Sequence, residues 1–562
     1  MNSGIDDGLA PTYRAHRQNL NIWSLGRAGT LPPWRPNLIR GAVATGLDGR
    51  MRDNLVFYVN GTRHVVRGSE AALTLTEYLR NGCENEAQRL VGTKVACAEG
   101  DCGACTVLVG KPLNEGDGFE YQTIDACIAF VYQMDRRHVI TVEGICREDA
   151  LSEVQTAMVD FHGSQCGFCT PGFVMALHGL VEEHSCNGND RISDDVLRLG
   201  LSGNLCRCTG YDQILDAGRS FDLTAVAAVA RQFDTASMLA DFTKIGDRPV
   251  QLNSRPTAGI NRTADSTSTN GAVGKALPPE IFLPSTLDDL LARRAQRPAA
   301  TLVAGATDLG VQRNHGRIAL DDVIFTLGVE ELGQIEIEGN ELIIGATVSW
   351  SRIESFVYEH VPEYHQMITR FGSPQVRHAG TLAGNLANAS PVADAIPFHY
   401  VAGSTIELAS IRGTRQVPIE EFYLGYKQLD LQPDEIIVSV RTPLPTANER
   451  LKLYKISKRR DMDISTVSAA FWLELEDQKI RTARIATGGV GPTVIRLRQA
   501  EAMLKGQPMT AETMRAAGRK GRDEITPISD VRGGVSYRHQ LVENLFVKCF
   551  HDLSPSPSPV EV

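Results

Sequence analysis
The sequence predicts a multidomain α+β protein, on three observations. The chain has 562 residues, too many for one core, so three or four domains are expected. Strand and helix signals crowd together near residues 55–82, and a mainly helical run follows from 150 to about 222. A polar Gly/Ser/Thr-rich stretch (250–280) then separates this half from one in which strands and helices mix.

The elements follow in order. Residues 1–52 hold seven Arg and no Lys with little periodicity, and read as an irregular extension. A transit peptide and a natural start at Met51 are the alternatives. In "LVFYVNGTRHVV" (55–66) two β-rich runs flank Asn60-Gly61, a hairpin signal. "TLTEYLRNG" offers Thr74 as a cap, Glu77 three residues on, and Asn81-Gly82 as a stop, which predicts a short helix. With the cysteine-rich loop behind it, this makes a small α+β module over 53–145.

Over 146–225 the pattern is helical. "LSEVQTAMVDFHG" carries apolar residues at helical spacing. "TPGFVMALHGLVEEH" has Thr170 as cap and Pro171 at the first helical position, where a missing N–H costs nothing. "SDDVLRLGLSGN" opens on Ser193 and two acids, favourable at the positive helix end. Residues 226–278 read as a linker and 279–447 as a mixed domain. Over 448–553 a hairpin, "AAFWLELEDQKIRTARIATGG", precedes helices at 496–505 and 510–520. The tail 554–562 is expected to be disordered.

A net charge of -10 argues against nucleic-acid partners, which are held by clustered Lys and Arg. No apolar run approaches the roughly 18 residues that mark a membrane span. The Arg-Arg pairs are internal and the start has no signal-peptide core, so a cytoplasmic protein is expected. Of twelve cysteines, eleven lie between Cys83 and Cys208. In a reducing compartment such clustering points to metal rather than disulfides.

"CAEGDCGAC" spaces Cys97, Cys102 and Cys105 as C-x4-C-x2-C, and Cys127 follows after twenty-one intervening residues. This is plant-type [2Fe–2S] spacing. Gly100, Gly103 and Ala104 let the backbone turn tightly and aim N–H groups at bridging sulfides. A structural zinc site is the alternative, though zinc prefers paired C-x2-C knuckles. "QCGFCTPG" supplies Cys166 and Cys169 near a helix start, and "GNLCRCTGY" supplies Cys206 and Cys208. Taken alone, this second set is open to zinc or a redox dithiol as well. Cys83, Cys146, Cys186 and Cys549 have no motif and read as small buried hydrophobes or surface thiols.

"ATLVAGATDLG" (300–310) runs an apolar strand into a small-residue turn where backbone N–H groups can approach an anion. It is not G-x-G-x-x-G, so a Rossmann fingerprint is not supported. "GTLAGNLANASPVADAIP" (380–397) is rich in Gly, Ala, Asn and Ser, which favours a loop laid along a ligand. Plain turns and ordinary packing are the bland alternatives.

Together these motifs resemble the xanthine dehydrogenase family of molybdenum hydroxylases over about residues 53–550. The resemblance implies a β-grasp ferredoxin-like domain, a four-helix [2Fe–2S] domain, an α+β FAD-binding domain of the vanillyl-alcohol-oxidase/PCMH type, and a C-terminal α+β flavoprotein subdomain. It implies Cys97, Cys102, Cys105 and Cys127 as ligands of one cluster and Cys166, Cys169, Cys206 and Cys208 as ligands of the other. It implies Leu302, Val303, Ala304, Gly305, Ala306, Thr307, Asp308 and Leu309 on the FAD pyrophosphate and Phe371 beside the flavin. Thr381, Asn388 and Asp394 would be polar contacts, with Ile437 ("DEIIVSVRTP") against the isoalloxazine and Lys455 ("YKISKRRDMDIS") nearby. "TGGVGPTVIR" resembles the start of the C-terminal subdomain.

The family's complete enzymes also carry a larger molybdenum–pterin portion, so the chain is expected to work as the small member of a split enzyme. A large molybdopterin-binding partner would form a heterotetramer of two small and two large chains. The partner would oxidise hypoxanthine or xanthine, and electrons would pass through two [2Fe–2S] clusters to FAD and on to NAD⁺. No separate catalytic constellation is expected in this chain. A relay serving another molybdenum hydroxylase, acting on an aldehyde or N-heterocycle, is the alternative; a non-redox zinc-stabilised scaffold is a third.

Overall fold
Asn60 and Gly61 both take positive φ (47° and 81°), the backbone a two-residue hairpin turn requires. The flanking runs accordingly pair antiparallel as β1 (Leu55–Val59) and β2 (Thr62–Val66). Thr74 and Glu77 form the expected capping box: Thr74 N–H donates to the Glu77 carboxylate (2.7 Å), and Glu77 N–H donates to Thr74 Oγ1 (3.2 Å). The helix Leu75–Asn81 lays Leu75, Tyr78 and Leu79 on Leu55, Phe57 and Val59. With β3 (Thr106–Pro112), β4 (Phe119–Asp125) and β5 (His138–Ile140) the strands order as β2-β1-β5-β3-β4, β1 and β5 being parallel. This is a β-grasp.

The computed structural model describes residues 51–81, 89–113, 118–146, 150–185, 190–224, 232–253, 278–320 and 322–554. The extension over 1–50, the Gly82 stop, Cys83, Cys186, linker residues 254–277 and the tail from 555 lie outside them.

Four helices follow the β-grasp: Glu153–Asp160, Thr170–Ser185, Asp194–Gly200 and Asp212–Arg219. Ser152 and Gln155 make a capping box at the first, and Ser193 caps the third through Val196 N–H. Val154, Met158, Phe173, Leu177, Leu197 and Ile214 fill their shared core, which continues into Phe119 and Tyr121 of the sheet. The two domains therefore share one hydrophobic interior.

The stretch expected as a linker contains a helix, Thr235–Ile245, and the strand β6 (Val250–Asn253). Phe242 packs on Tyr58 and Phe119, so tertiary apolar contact orders a segment expected as part of a linker. β6 pairs with β7 (Glu280–Leu283), which continues through β9 (Val323–Phe325) to β8 (Thr301–Val303). The next layer is an antiparallel sheet of order β10-β11-β16-β12-β13, with β10 Ile335–Glu338, β11 Glu341–Gly345, β12 Thr405–Ser410, β13 Gly413–Pro418 and β16 Ile436–Pro443. Between β13 and β16 lies the short hairpin β14 (Tyr423–Gly425) and β15 (Gln428–Leu429).

The last domain is the sheet β17 (Glu449–Ile456), β18 (Val467–Glu476), β19 (Lys479–Gly488) and β20 (Ile495–Arg496). Helices Arg498–Leu504 and Ala511–Asp523 match expectation, and a 19-residue helix, Val535–Leu553, completes the cover. No described helix is long and apolar enough to cross a membrane. The architecture is multidomain α+β.

Candidate functional site
Cys97, Cys102 and Cys105 lie on the loop leading into β3, and Cys127 follows β4. Gly100 and Gly103 take positive φ (71° and 64°), which bends this loop back on itself. All four thiols come together: Cys102 and Cys127 touch Cys97, and Cys105 touches Cys127. The backbone N–H groups of Glu99 and Asp101 point at the Cys97 sulfur, and that of Ala104 at Cys102. Hydrogen bonds from Cys102 and then Cys127 hold the Cys97 thiol far below its ordinary range, while the same contact pushes Cys102 up. Cys105 and Cys127 are each 2 % exposed. Behind them Asp125 is pushed up to about 7 by burial, its Oδ1 facing the Cys105 sulfur at 3.5 Å.

The second set joins in two pairs, Cys166 with Cys208 and Cys169 with Cys206. The Phe168 N–H, then Cys208, lowers Cys166; burial, then Cys206, pushes Cys169 up to about 12. For Cys206, burial opposes charge, but hydrogen bonds led by the Thr209 hydroxyl (3.1 Å) outweigh it and lower the thiol. Each pair thus favours one thiolate. Cys166 and Cys208 are exposed. Among the described residues no group of three or more His, Cys, Asp or Glu could close on one metal ion. The second set, linked two by two, suits a binuclear cluster, in which each iron takes a pair. Cys146 is exposed and Cys549 fully buried.

The two Gly-rich segments also meet. A Cβ on Gly305 would come within 1.9 Å of the Ala379 carbonyl, and one on Gly380 within 3.4 Å of Thr307 Oγ1. Ala306 takes positive φ (61°), and Thr381 bridges to Ser349. The segment Leu302–Leu309, which runs from the end of β8 through a turn into the next helix, therefore lies against 379–381 with no side-chain bulk between Gly305 and Ala379, a cradle that fits a dinucleotide's pyrophosphate. Phe371 stands edge-on to Trp350, centroids 4.7 Å apart. Thr381 caps the helix Leu382–Asn388 through Gly384 N–H (3.0 Å), and Asn388 Oδ1 accepts from Lys427 (2.8 Å). Asp394 accepts from Lys455 Nζ and Ser465 Oγ, both at 2.5 Å. This ties the cradle to β17 through a lysine whose side chain is 1 % exposed. Ile437 sits opposite Leu408 in the middle sheet, 8 % exposed.

Three amides escaped notice in the sequence. Asn314, at the end of the helix Leu309–Asn314, donates to the carbonyls of Ala98 (2.9 Å) and Cys127 (2.8 Å). Asn204 and Gln375 meet between the two thiol sets. Only Asn204, inside "GNLCRC", stood next to a visible motif.

Residues 57–132 match the family described as 2Fe-2S iron-sulfur cluster binding domain, and 141–219 match [2Fe-2S] binding domain. Residues 277–445 match FAD binding domain in molybdopterin dehydrogenase, and 452–553 match CO dehydrogenase flavoprotein C-terminal domain. Xanthine dehydrogenase of Emericella nidulans is 30% identical over 539 residues, 89% of this chain and 39% of that protein. Xanthine dehydrogenase 1 of Arabidopsis thaliana is 30% identical over 572 residues, 92% of this chain and 41% of that protein. The chain thus spans about two fifths of the length of these curated relatives. Among solved structures, quinoline 2-oxidoreductase from Pseudomonas putida 86 aligns with TM-score 0.45 and 26% identity, over 48% of this chain and 94% of that one. The carbon monoxide dehydrogenase of Hydrogenophaga pseudoflava aligns with TM-score 0.46 and 26% identity, over 48% and 94%. The chain belongs to the molybdenum hydroxylase family and carries its two [2Fe–2S] domains and its FAD domain.

Proposed function
We propose that this chain is the electron-transfer component of a xanthine dehydrogenase, serving a molybdopterin-binding partner chain that oxidises hypoxanthine and xanthine to urate, with NAD⁺ as final acceptor. The observation that carries the reading is the presence, in one chain, of two four-thiol groups and a flavin cradle. The xanthine dehydrogenase relatives support the substrate. Bound clusters supply one-electron carriage and bound FAD collects electrons in pairs.

This chain's residues then have assignable tasks. Cys97, Cys102, Cys105 and Cys127 would hold the inner cluster, with the N–H groups of Glu99, Asp101 and Ala104 tuning its sulfurs. Cys166, Cys169, Cys206 and Cys208 would hold the outer one. Residues 302–309 would take the FAD pyrophosphate, with Phe371, Thr381, Asn388, Asp394, Ile437 and Lys455 along the rest of the cofactor. The Asp394–Lys455 pair keeps a cation fixed and dry beside the cradle. On the same loops as the open Cys166 and Cys208 are Phe168, Leu205 and Tyr211, all exposed. Bare apolar side chains beside a redox centre support a docked partner; the assembly in this reading has two small and two large chains. Thiol ligands in such number support a reducing, cytoplasmic setting.

The test is co-purification of the native chain followed by analysis. About four irons per chain, acid-labile sulfide, one FAD and a molybdopterin-bearing partner are expected, with xanthine-driven NAD⁺ reduction by the complex. Stoichiometric zinc without iron would overturn the relay. Oxidation of an aldehyde or N-heterocycle in place of xanthine would overturn the substrate alone.

A further inference from the structure
The two thiol groups belong to different domains, yet the loops that hold them touch. Leu205 N–H donates to the Cys102 carbonyl (3.0 Å). The route from Cys102 to Cys206 therefore crosses one hydrogen bond and otherwise follows covalent bonds. A buried lattice of amides surrounds that bond. Thr106 Oγ1 donates to the Gly103 carbonyl (2.7 Å). Asn204 Nδ2 donates to the same carbonyl (3.0 Å) and to Thr106 Oγ1 (3.3 Å). Gln375 Nε2 donates to Asn204 Oδ1 (3.0 Å) and to Thr106 Oγ1 (3.2 Å).

Thr106 and Asn204 are 2 % exposed and Gln375 1 %. Gln375 comes from the helix Pro374–Ala379 of the flavin domain, so three domains meet at one threonine hydroxyl. Both side-chain N–H groups of Asn204 and of Gln375 are used. Gln375 Oε1 has no partner among the described residues. It faces Gly203, where a Cβ would lie 2.1 Å away. A Cβ on Gly103 would be 2.4 Å from the Gly203 carbonyl, and one on Gly172 would be 2.1 Å from the Gly103 carbonyl. Packing this close leaves the loops little freedom to slide.

We propose that Gln375 is a positioning residue for electron passage between the two iron–sulfur sites: by locking Asn204 against Thr106 it holds the Leu205–Cys102 hydrogen bond and so sets their coupling. This rests on the iron–sulfur assignment of the eight thiols. The exchange is of one electron; one site is oxidised by one as the other is reduced by one, and no proton, bond or ligand moves. Coupling through a bonded route falls steeply when a link opens into a gap, so an amide that keeps the link closed controls the exchange without touching either site. Its placement in the flavin domain means that the inter-cluster link is correct only when that domain is docked.

The test uses the iron-loaded full chain. Gln375→Met keeps length and removes both donors; Thr106→Val removes the shared acceptor, and Thr106→Ser restores it. With both centres reduced, the wild type should show splitting of its electron paramagnetic resonance lines from their magnetic interaction. Gln375→Met and Thr106→Val should lose that splitting and slow transfer between the centres, with wild-type iron content and g values; Thr106→Ser should keep both. Unchanged splitting and transfer in an iron-replete Gln375→Met overturns the proposal. If that variant loses iron, the Thr106→Val and Thr106→Ser pair decides by the same two readings. A wild-type chain without two paramagnetic centres would instead defeat the underlying assignment.

Discussion

In the β-grasp domain Cys105 and Cys127 are 2 % exposed, whereas in the helical domain Cys166 and Cys208 lie open to solvent. Both groups use four thiols from short loops, and the difference lies in what covers them. The inner group is roofed by the flavin domain. Asn314 holds two of its loop carbonyls, Arg313 pairs with Glu77 (2.9 Å), and a Cβ on Gly310 would sit 2.5 Å from the Ile128 carbonyl. The outer group carries exposed Phe168 between two of its cysteines, and its Cys166 and Cys208 stay open among the described residues. One group is covered by the chain itself; the other is open on the side where the proposed partner chain would dock. A carrier between two donors or acceptors needs such asymmetry, since one side must face inward and the other must meet a partner.

The contrast breaks most sharply by removing one ligand. Cys102→Ser should lower iron from about four to about two per chain and abolish only the inner paramagnetic signal, while Cys166→Ser should abolish only the outer one. Retention of both signals in either variant counts against the ligand sets. Next in size is Gly172→Ala, whose added methyl meets the Gly103 carbonyl at 2.1 Å. Overpacking there should cost about 1–3 kcal/mol, read as a lower midpoint in denaturant, and should disturb both centres because it lies between them.

Exposure itself is testable by kinetics. With a chelator and the chain alone, the outer signal should bleach before the inner one, and bound partner should slow the outer loss; simultaneous bleaching would contradict the burial difference. Asn314→Ala is a smaller change. It leaves the Ala98 and Cys127 carbonyls short of a donor, at about 1–3 kcal/mol, and should shift the inner signal while leaving the outer signal in place.

Acid should act on the inner side through His138, which is fully buried and bonded to Tyr121 and Gly61 N–H. Burial lowers its pKa from 6.5 to about 4. The unfolded chain then binds a proton that the folded one refuses. Stability is full above pH 6.5 and falls as pH drops toward 4. Thermal midpoints across that window should fall, and fall less in His138→Gln.

Local chemistry was legible beforehand. The Asn60-Gly61 turn, the Thr74/Glu77 box, the Ser193 cap and the β18–β19 hairpin all depend on neighbours a few residues apart. Each is visible in a short window. The helix Thr235–Ile245 was missed because its order comes from Phe242 against Tyr58 and Phe119, partners far away in the chain. Thr381 Oγ1 accepts from the Gly384 N–H and Asn388 Oδ1 from Lys427, contacts that the sequence spacing of these two residues did not reveal.

By itself the sequence determined the kind of chemistry: eight thiols, three of them in a C-x4-C-x2-C loop with a fourth at Cys127 and the others in a C-x2-C and a C-x-C pair, small residues around them, and two bulk-free segments for an anionic cofactor. Those properties belong to residue types and short spacings. Only the tertiary structure decided which group is buried and where the loops of the two touch. Gln375 reaches Asn204 across 171 positions and Asn314 reaches Cys127 across 187. A hydrogen bond over such a separation leaves no periodicity in the chain; it exists only where three folded domains meet.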